Sequence, residues 1–303
     1  MSEGGISPFL DSGVIARLAN QPLLARFAME GNISGHHRSP HRGSSVEFAE
    51  YRVYAPGDDI RRLDWRVFGR TDRFYLKEFE ADTNLRCQLV IDSSGSMGFG
   101  SGASIKLEYA KRMAATLGYL LIQQGDAVGL TVAGPDVVRE VPAKRNASHL
   151  RLIGDLLGQT RSGEGTGLAK VLHDLAEKVR QRAMVIVFSD LFGDPEAIAS
   201  AFQHLRFRKH DLVVFHLLDR QELDFPFNQP LRFEDMESAF HLVCEPSLIR
   251  EEYLGHLGRF LQQVKEGCHR LNADYHRVVT DEDFAGVLAS FLISRSQVQG
   301  ART

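Results

Sequence analysis

Val90-Ile91-Asp92-Ser93-Ser94-Gly95-Ser96-Met97 decides how this chain reads. The apolar strand Leu89-Val90-Ile91 runs directly into an acidic residue, and hydroxyls follow at alternate positions, the pattern D-x-S-x-S. Three side-chain oxygens are thereby gathered where a strand gives way to a loop. Hard divalent cations such as Mg2+ take carboxylate, hydroxyl and water oxygens in preference to nitrogen or sulfur. When most donors are neutral hydroxyls, a bound cation keeps excess positive charge and can accept a carboxylate from outside. The pattern points to recognition rather than catalysis.

Outward from this strand, strand and helix patterns alternate. Residues 104–123 carry a helical apolar stripe at Ala110, Met113, Ala114, Leu117, Leu120 and Leu121, and Gly125-Asp126 ends it. A strand follows at 128–133, then a short polar strand near Val141 that reads as an antiparallel edge. Helices are expected at 147–157, 168–181 and 196–209. Met184-Val185-Ile186-Val187-Phe188 and the run 212–218 have the apolar content of strands buried on both faces. A hairpin insertion near 220–245 precedes a helix at 248–271, a strand at 273–279 and a closing helix at 281–293. Repeated β-α-β units imply an α/β fold: a doubly wound, mostly parallel, Rossmann-like central sheet with helices on both faces. Residues 86–295 form this domain in our reading, and 296–303 a disordered tail.

Residues 1–85 read differently, as an N-terminal strand and helix extension packed on or beside the main domain. One or two short amphipathic helices are expected within 7–29, then a polar loop with His36, His37, Arg38, His41 and Arg42, strands at 47–54 and 73–79, and a turn at Ala55-Pro56-Gly57-Asp58-Asp59.

The 303 residues are 43% hydrophobic, enough to fill a core, and the formal net charge of -3 favours neither nucleic acid nor an anionic membrane. Cys87, Cys244 and Cys268 are far apart, which argues for a reducing compartment and against a disulfide framework or structural zinc. No secretory segment or membrane-spanning run is visible, so the expectation is a cytoplasmic protein.

In open α/β sheets, ligands bind outside the carboxyl ends of the strands, where the strand order reverses. Asp92 follows the first strand at that end, and Asp190 follows the strand ending at Phe188. Gly163-Glu164-Gly165-Thr166-Gly167 places a threonine hydroxyl in a glycine-rich loop before a helix. Each alone reads as a turn or helix-cap residue. Together, on three loops, Asp92, Ser94, Ser96, Thr166 and Asp190 read as one cation site. Asp219 reads as a turn residue.

With these residues the chain resembles a von Willebrand factor A-like domain carrying a metal-ion-dependent adhesion site. The upstream run from Tyr51-Arg52-Val53-Tyr54 through Asp58-Asp59-Ile60-Arg61-Arg62-Leu63-Asp64-Trp65, then Arg70-Thr71 and Lys77-Glu78-Phe79-Glu80, resembles the "domain of unknown function 58" family. Glu222-Leu223, Pro226-Phe227 and Phe233-Glu234-Asp235 fit the same family. The resemblance implies Ser94, Ser96 and Thr166 as direct ligands of a divalent cation, Mg2+ first and Mn2+ or Ca2+ as alternatives, with Asp92 and Asp190 as ligands or water anchors. It implies a bacterial partner, a MoxR-type AAA+ ATPase, and an unidentified client in the assembly or maturation of protein complexes. Leu191 departs from the glycine that many such domains carry after the second aspartate.

Arg52, Asp58, Asp59, Arg61, Arg62 and Arg70 suit either a structural ion-pair network around Trp65 or a partner-binding surface with bidentate arginine–carboxylate contacts. The leading expectation is a non-enzymatic, metal-dependent protein-binding adaptor that binds no nucleic acid. The rivals are a metal-assisted phosphoesterase, with His173 and His216 as candidate bases, and an RNA-binding adhesion-type domain.

Overall fold

The computed structural model describes residues 7–25, 37–38, 47–53, 65–71, 74–80, 82–83, 85–102, 104–134, 139–163, 167–237 and 240–300. The chain divides into a large unit, residues 1–24 and 86–303, and a small one, residues 25–85. The expected single extension over 1–85 is therefore two pieces, because the first 24 residues belong with the large unit. Helix α1 (Ser12–Leu18), capped by the Asp11 carboxylate, buries Val14 and Leu18 and contacts helices of that unit.

Within the small unit, β1 (His37–Arg38) pairs antiparallel with a short strand at Asp82–Thr83, and β2 (Glu47–Val53) with a strand at Tyr75–Glu80. Helix α2 (Trp65–Thr71) lies between them in sequence, followed by β3 (Tyr75–Glu80) and β4 (Asp82–Thr83). Phe68 and Phe74 stack with ring centroids 4.4 Å apart.

The large unit is built on one six-stranded sheet. Its strands and helices run β5 (Arg86–Asp92), α3 (Lys106–Gln123), β6 (Ala127–Ala133), β7 (Arg139–Lys144), α4 (Ala147–Gln159), α5 (Leu168–Lys178), β8 (Met184–Ser189), α6 (Pro195–Phe207), β9 (Asp211–Leu218), α7 (Arg220–Asp224), β10 (Leu231–Glu234), β11 (His241–Cys244), α8 (Pro246–Arg270), β12 (Asp274–Val279) and α9 (Phe284–Gly300). The spatial order is β12-β9-β8-β5-β6-β7, all parallel except β7. Strands β5, β6, β8 and β9 are buried almost throughout, as a sheet covered on both faces requires, whereas edge strand β7 alternates between half-buried and exposed residues. Helices α3, α4 and α9 lie on one face with α1, and α5, α6 and α8 on the other. The doubly wound, mostly parallel α/β fold expected from the sequence is what the topology shows. Because β5 has β6 on one side and β8 on the other, the chain reverses direction across the sheet at the β5–β8 pair.

The hairpin insertion is present as the short helix α7 followed by the antiparallel pair β10–β11. The tail expected from 296 is corrected: α9 continues to Gly300. Arg295 anchors the C-terminal half of that helix. Its guanidinium is 1% exposed and lies 2.6 Å from Asp211 Oδ2 on β9 and 2.6 Å from Asp274 Oδ2 on β12. No helix among the described residues is long and apolar enough to cross a membrane.

Two measurements probe this frame. Arg295→Met strands two buried carboxylates and is expected to lower stability by about 3–5 kcal/mol in chemical denaturation. His210 is fully buried, its Nδ1 accepts the Ala183 N–H at 3.2 Å, and burial and then Arg208 lower its pKa to about 4. The unfolded chain takes up this proton near pH 6.5, earlier than the folded one. Its contribution is therefore complete above about pH 6.5 and is lost as pH falls toward 4, with a slope approaching about 1.4 kcal/mol per pH unit. His210→Asn, which keeps an acceptor but cannot charge, should flatten that window.

Candidate functional site

Strand β5 delivers Asp92 to the carboxyl end of the sheet at the reversal point, and β8 delivers Asp190 beside it. Both are essentially unexposed. Asp92 Oδ1 accepts the Ser94 N–H at 2.9 Å, and Oδ2 accepts the Ser189 hydroxyl at 2.6 Å. Ser189 Oγ in turn accepts the Leu191 N–H at 2.8 Å. Burial and the neighbouring Asp190 push the Asp92 carboxyl up to about 6, against the hydrogen bonds from Ser189 and Ser94. After Asp92 the chain enters a short 3-10 turn, Gly95–Gly98, which turns Ser94 and Ser96 toward each other: their hydroxyl oxygens are 3.2 Å apart.

That separation is the test of fit for a cation. Neighbouring oxygens around an octahedral Mg2+ at ~2.1 Å are about 3 Å apart, so the two hydroxyls stand as adjacent ligands would. Among the described residues no three His, Cys, Asp or Glu groups form a metal-holding cluster by themselves. The surrounding charge also suits a cation. Asp190 raises the pKa of both Asp92 and Glu237, so these acids are gathered close together, and Asp190 and Glu222 pair with the buried ammonium of Lys106.

Lys106 has no counterpart in the sequence reading. Its ammonium is unexposed, 2.7 Å from Asp190 Oδ2 and 2.6 Å from Glu222 Oε1, and lies over the Phe192 ring at 5.0 Å. Asp190 Oδ1 accepts the Phe192 N–H at 3.1 Å. Both carboxylate oxygens of Asp190 thus have protein partners, which suits a role in orienting water or neighbours rather than direct coordination. Lys106 opens α3, where the helix dipole disfavours a cation; that mismatch was the signal available in the sequence. Glu222 was marked too, since Asp219 and Glu222 make a capping box on α7. Asp219, read as a turn residue, is 1% exposed and also accepts the Ser101 N–H at 2.9 Å and its hydroxyl at 2.5 Å, so it clamps the loop that follows the serines.

Leu191 takes φ 56°, the left-handed region where glycine is favoured, so its departure from the usual glycine carries real backbone strain. Its burial at 1% exposure offsets that cost. His216 is buried, with its pKa lowered to about 4 chiefly by desolvation; Nε2 donates to the Asp190 carbonyl at 2.8 Å and Nδ1 accepts from the Tyr275 hydroxyl at 2.9 Å. His173 pairs with His204, Nδ1 to Nδ1 at 3.0 Å, on α5 and α6. Neither candidate base is placed at the serine pair.

Thr166 lies outside the described residues; the segment before it is tied to the site loop by the Gly163 N–H, which donates to the Ser93 carbonyl at 2.9 Å. Asp58, Asp59, Arg61 and Arg62 also lie outside the described residues. Arg52 stands on β2 opposite Leu76, and Arg70 is exposed in the last turn of α2.

Lys106→Met leaves Asp190 and Glu222 buried without their cation, and is expected to cost about 3–5 kcal/mol in urea denaturation without added metal. Glu222→Gln should cost less, because Asp190 still pairs with the lysine.

Comparison with known proteins gives three kinds of match. Uncharacterized proteins of Mycobacterium bovis and Mycobacterium tuberculosis are 27% identical over 297 residues, covering 94% of this chain and 90% of theirs. Among solved structures, an aerotolerance-related membrane protein from Bacteroides fragilis aligns with TM-score 0.46 at 15% identity, covering 71% of this chain and 100% of that one. The VWA domain of SpRpn10 aligns with TM-score 0.42 at 12% identity, covering 71% and 97%. The family model described as "Protein of unknown function DUF58" matches residues 50–257, well over half of the sequence. The chain belongs to the DUF58 family.

Proposed function

We propose that this protein is a metal-ion-dependent protein-binding adaptor that works with a MoxR-type AAA+ ATPase in the assembly or maturation of other protein complexes. The observation that carries the reading is the pair of serine hydroxyls, 3.2 Å apart, at the reversal point of the sheet. Ser94 and Ser96 would hold the cation directly, with Thr166 assigned to them by resemblance. Asp92 fixes the loop through the Ser94 N–H and, with Asp190, supplies negative charge behind the hydroxyls. A divalent cation held there, Mg2+ by its preference for oxygen, supplies a Lewis-acidic site for a partner's carboxylate.

The surface beside the site supports a protein partner. Phe240, Leu242 and Val243 project from the β10–β11 hairpin and Leu248 from the start of α8, with Phe240 66% and Leu248 79% exposed. Apolar side chains gathered on one exposed hairpin are more typical of a docking surface than of scattered surface residues.

The test is an affinity pull-down from a bacterial extract, read by mass spectrometry, in Mg2+ and in EDTA. The expected result is recovery of an AAA+ ATPase in Mg2+, its loss in EDTA, and its loss with Ser94→Ala/Ser96→Ala in either buffer. Recovery indifferent to both changes would sink the proposal.

A further inference from the structure

The loop between β10 and β11 lies directly on the D-x-S-x-S turn. A Cβ on Gly95 would overlap the Met236 carbonyl, so the turn admits this loop only because position 95 is glycine. The loop is itself braced: the Asp235 N–H donates to the Phe240 carbonyl at 2.9 Å, and the Glu237 N–H donates to Asp235 Oδ1 at 3.0 Å. This bracing directs the Glu237 carboxylate at Ser96, whose backbone N–H and hydroxyl both stabilise its charge.

The three acids around the serines differ in how well they are satisfied. Both oxygens of Asp92 and both of Asp190 accept hydrogen bonds from the protein. Glu237 Oε1 is shut off from solvent and has no hydrogen-bond partner. The Glu237 side chain also lies against the turn itself, its Cγ next to the place a Gly95 side chain would occupy. A buried carboxylate oxygen left unpaired is costly, and a cation at the adjacent hydroxyls would remove the cost.

We infer that Glu237 is the chain's own carboxylate ligand of the cation held by Ser94 and Ser96. The inference rests on the cation reading of that turn and adds to it. The coordination position facing the hairpin is filled from within, so a partner's carboxylate enters at another position or after the β10–β11 loop has withdrawn Glu237. The hairpin that displays the exposed apolar residues is thereby also the element that completes the site.

The test uses the full chain, stripped with chelator and titrated with Mn2+ alone by isothermal calorimetry. Wild type is expected to bind one Mn2+, and Glu237→Gln to bind it roughly tenfold or more weakly, the order of effect of removing one charged contributor to a metal site. Glu234→Gln, an exposed acid on the same hairpin, should bind as wild type does. Thermal unfolding without metal guards against a folding defect: Glu237→Gln should be at least as stable as wild type, since it removes a poorly satisfied buried charge. Equal Mn2+ affinity in wild type and Glu237→Gln, with Ser94→Ala reduced, overturns this inference and leaves the cation reading standing. Absence of Mn2+ binding by wild type overturns both.

Discussion

A lysine ammonium without access to water organises the carboxyl end of this sheet. Lys106 opens a helix whose dipole repels it, and it is held there by Asp190 at the end of β8 and Glu222 in α7. The same Asp190 fixes His216 through its backbone carbonyl, and the same Glu222 accepts the Asp219 N–H at 2.7 Å. Three segments far apart in sequence are thus pinned to one charge. A buried pair of this kind is weak evidence for stability, since burial costs nearly as much as attraction returns. Its effect here is positional: with the Phe192 N–H, it holds both Asp190 oxygens in place.

The result is a division of labour among oxygens. Aspartates are saturated by protein donors and act as a fixed negative background, while the hydroxyls of Ser94 and Ser96 remain side by side. Ser189 is the link between the two strands, donating to Asp92 and accepting from the strained Leu191 peptide. Strain at Leu191 is tolerated because the apolar side chain is buried in the cluster that packs α5 and α6 onto the sheet.

Much of this was legible in the residues. Strands β5, β8 and β9 announced themselves by unbroken apolar runs, and the acids that follow β5 and β8 fell where a doubly wound sheet must put them. The edge strand β7 betrayed itself by its polar alternation. What escaped was whatever depended on contacts across the chain: Lys106 meets Asp190 over 84 residues and Glu222 over 116, and no local pattern encodes either meeting. Glu237 escaped for the same reason, since a hairpin in sequence does not say which loop it covers. Placing the first 24 residues with the small unit was a matter of proximity in sequence, which the packing of α1 overrides.

The glycine at position 95 has a mechanical consequence. With no side chain between the site turn and the Met236 carbonyl, the two backbones meet directly, and no flexible rotamer is available to absorb displacement. A pull or tilt applied to the β10–β11 hairpin is therefore transmitted to the serine turn as backbone movement, much as a rigid lever transmits force to its fulcrum. For a cation shared by the two hydroxyls as proposed, hairpin movement would then alter the separation of its ligands.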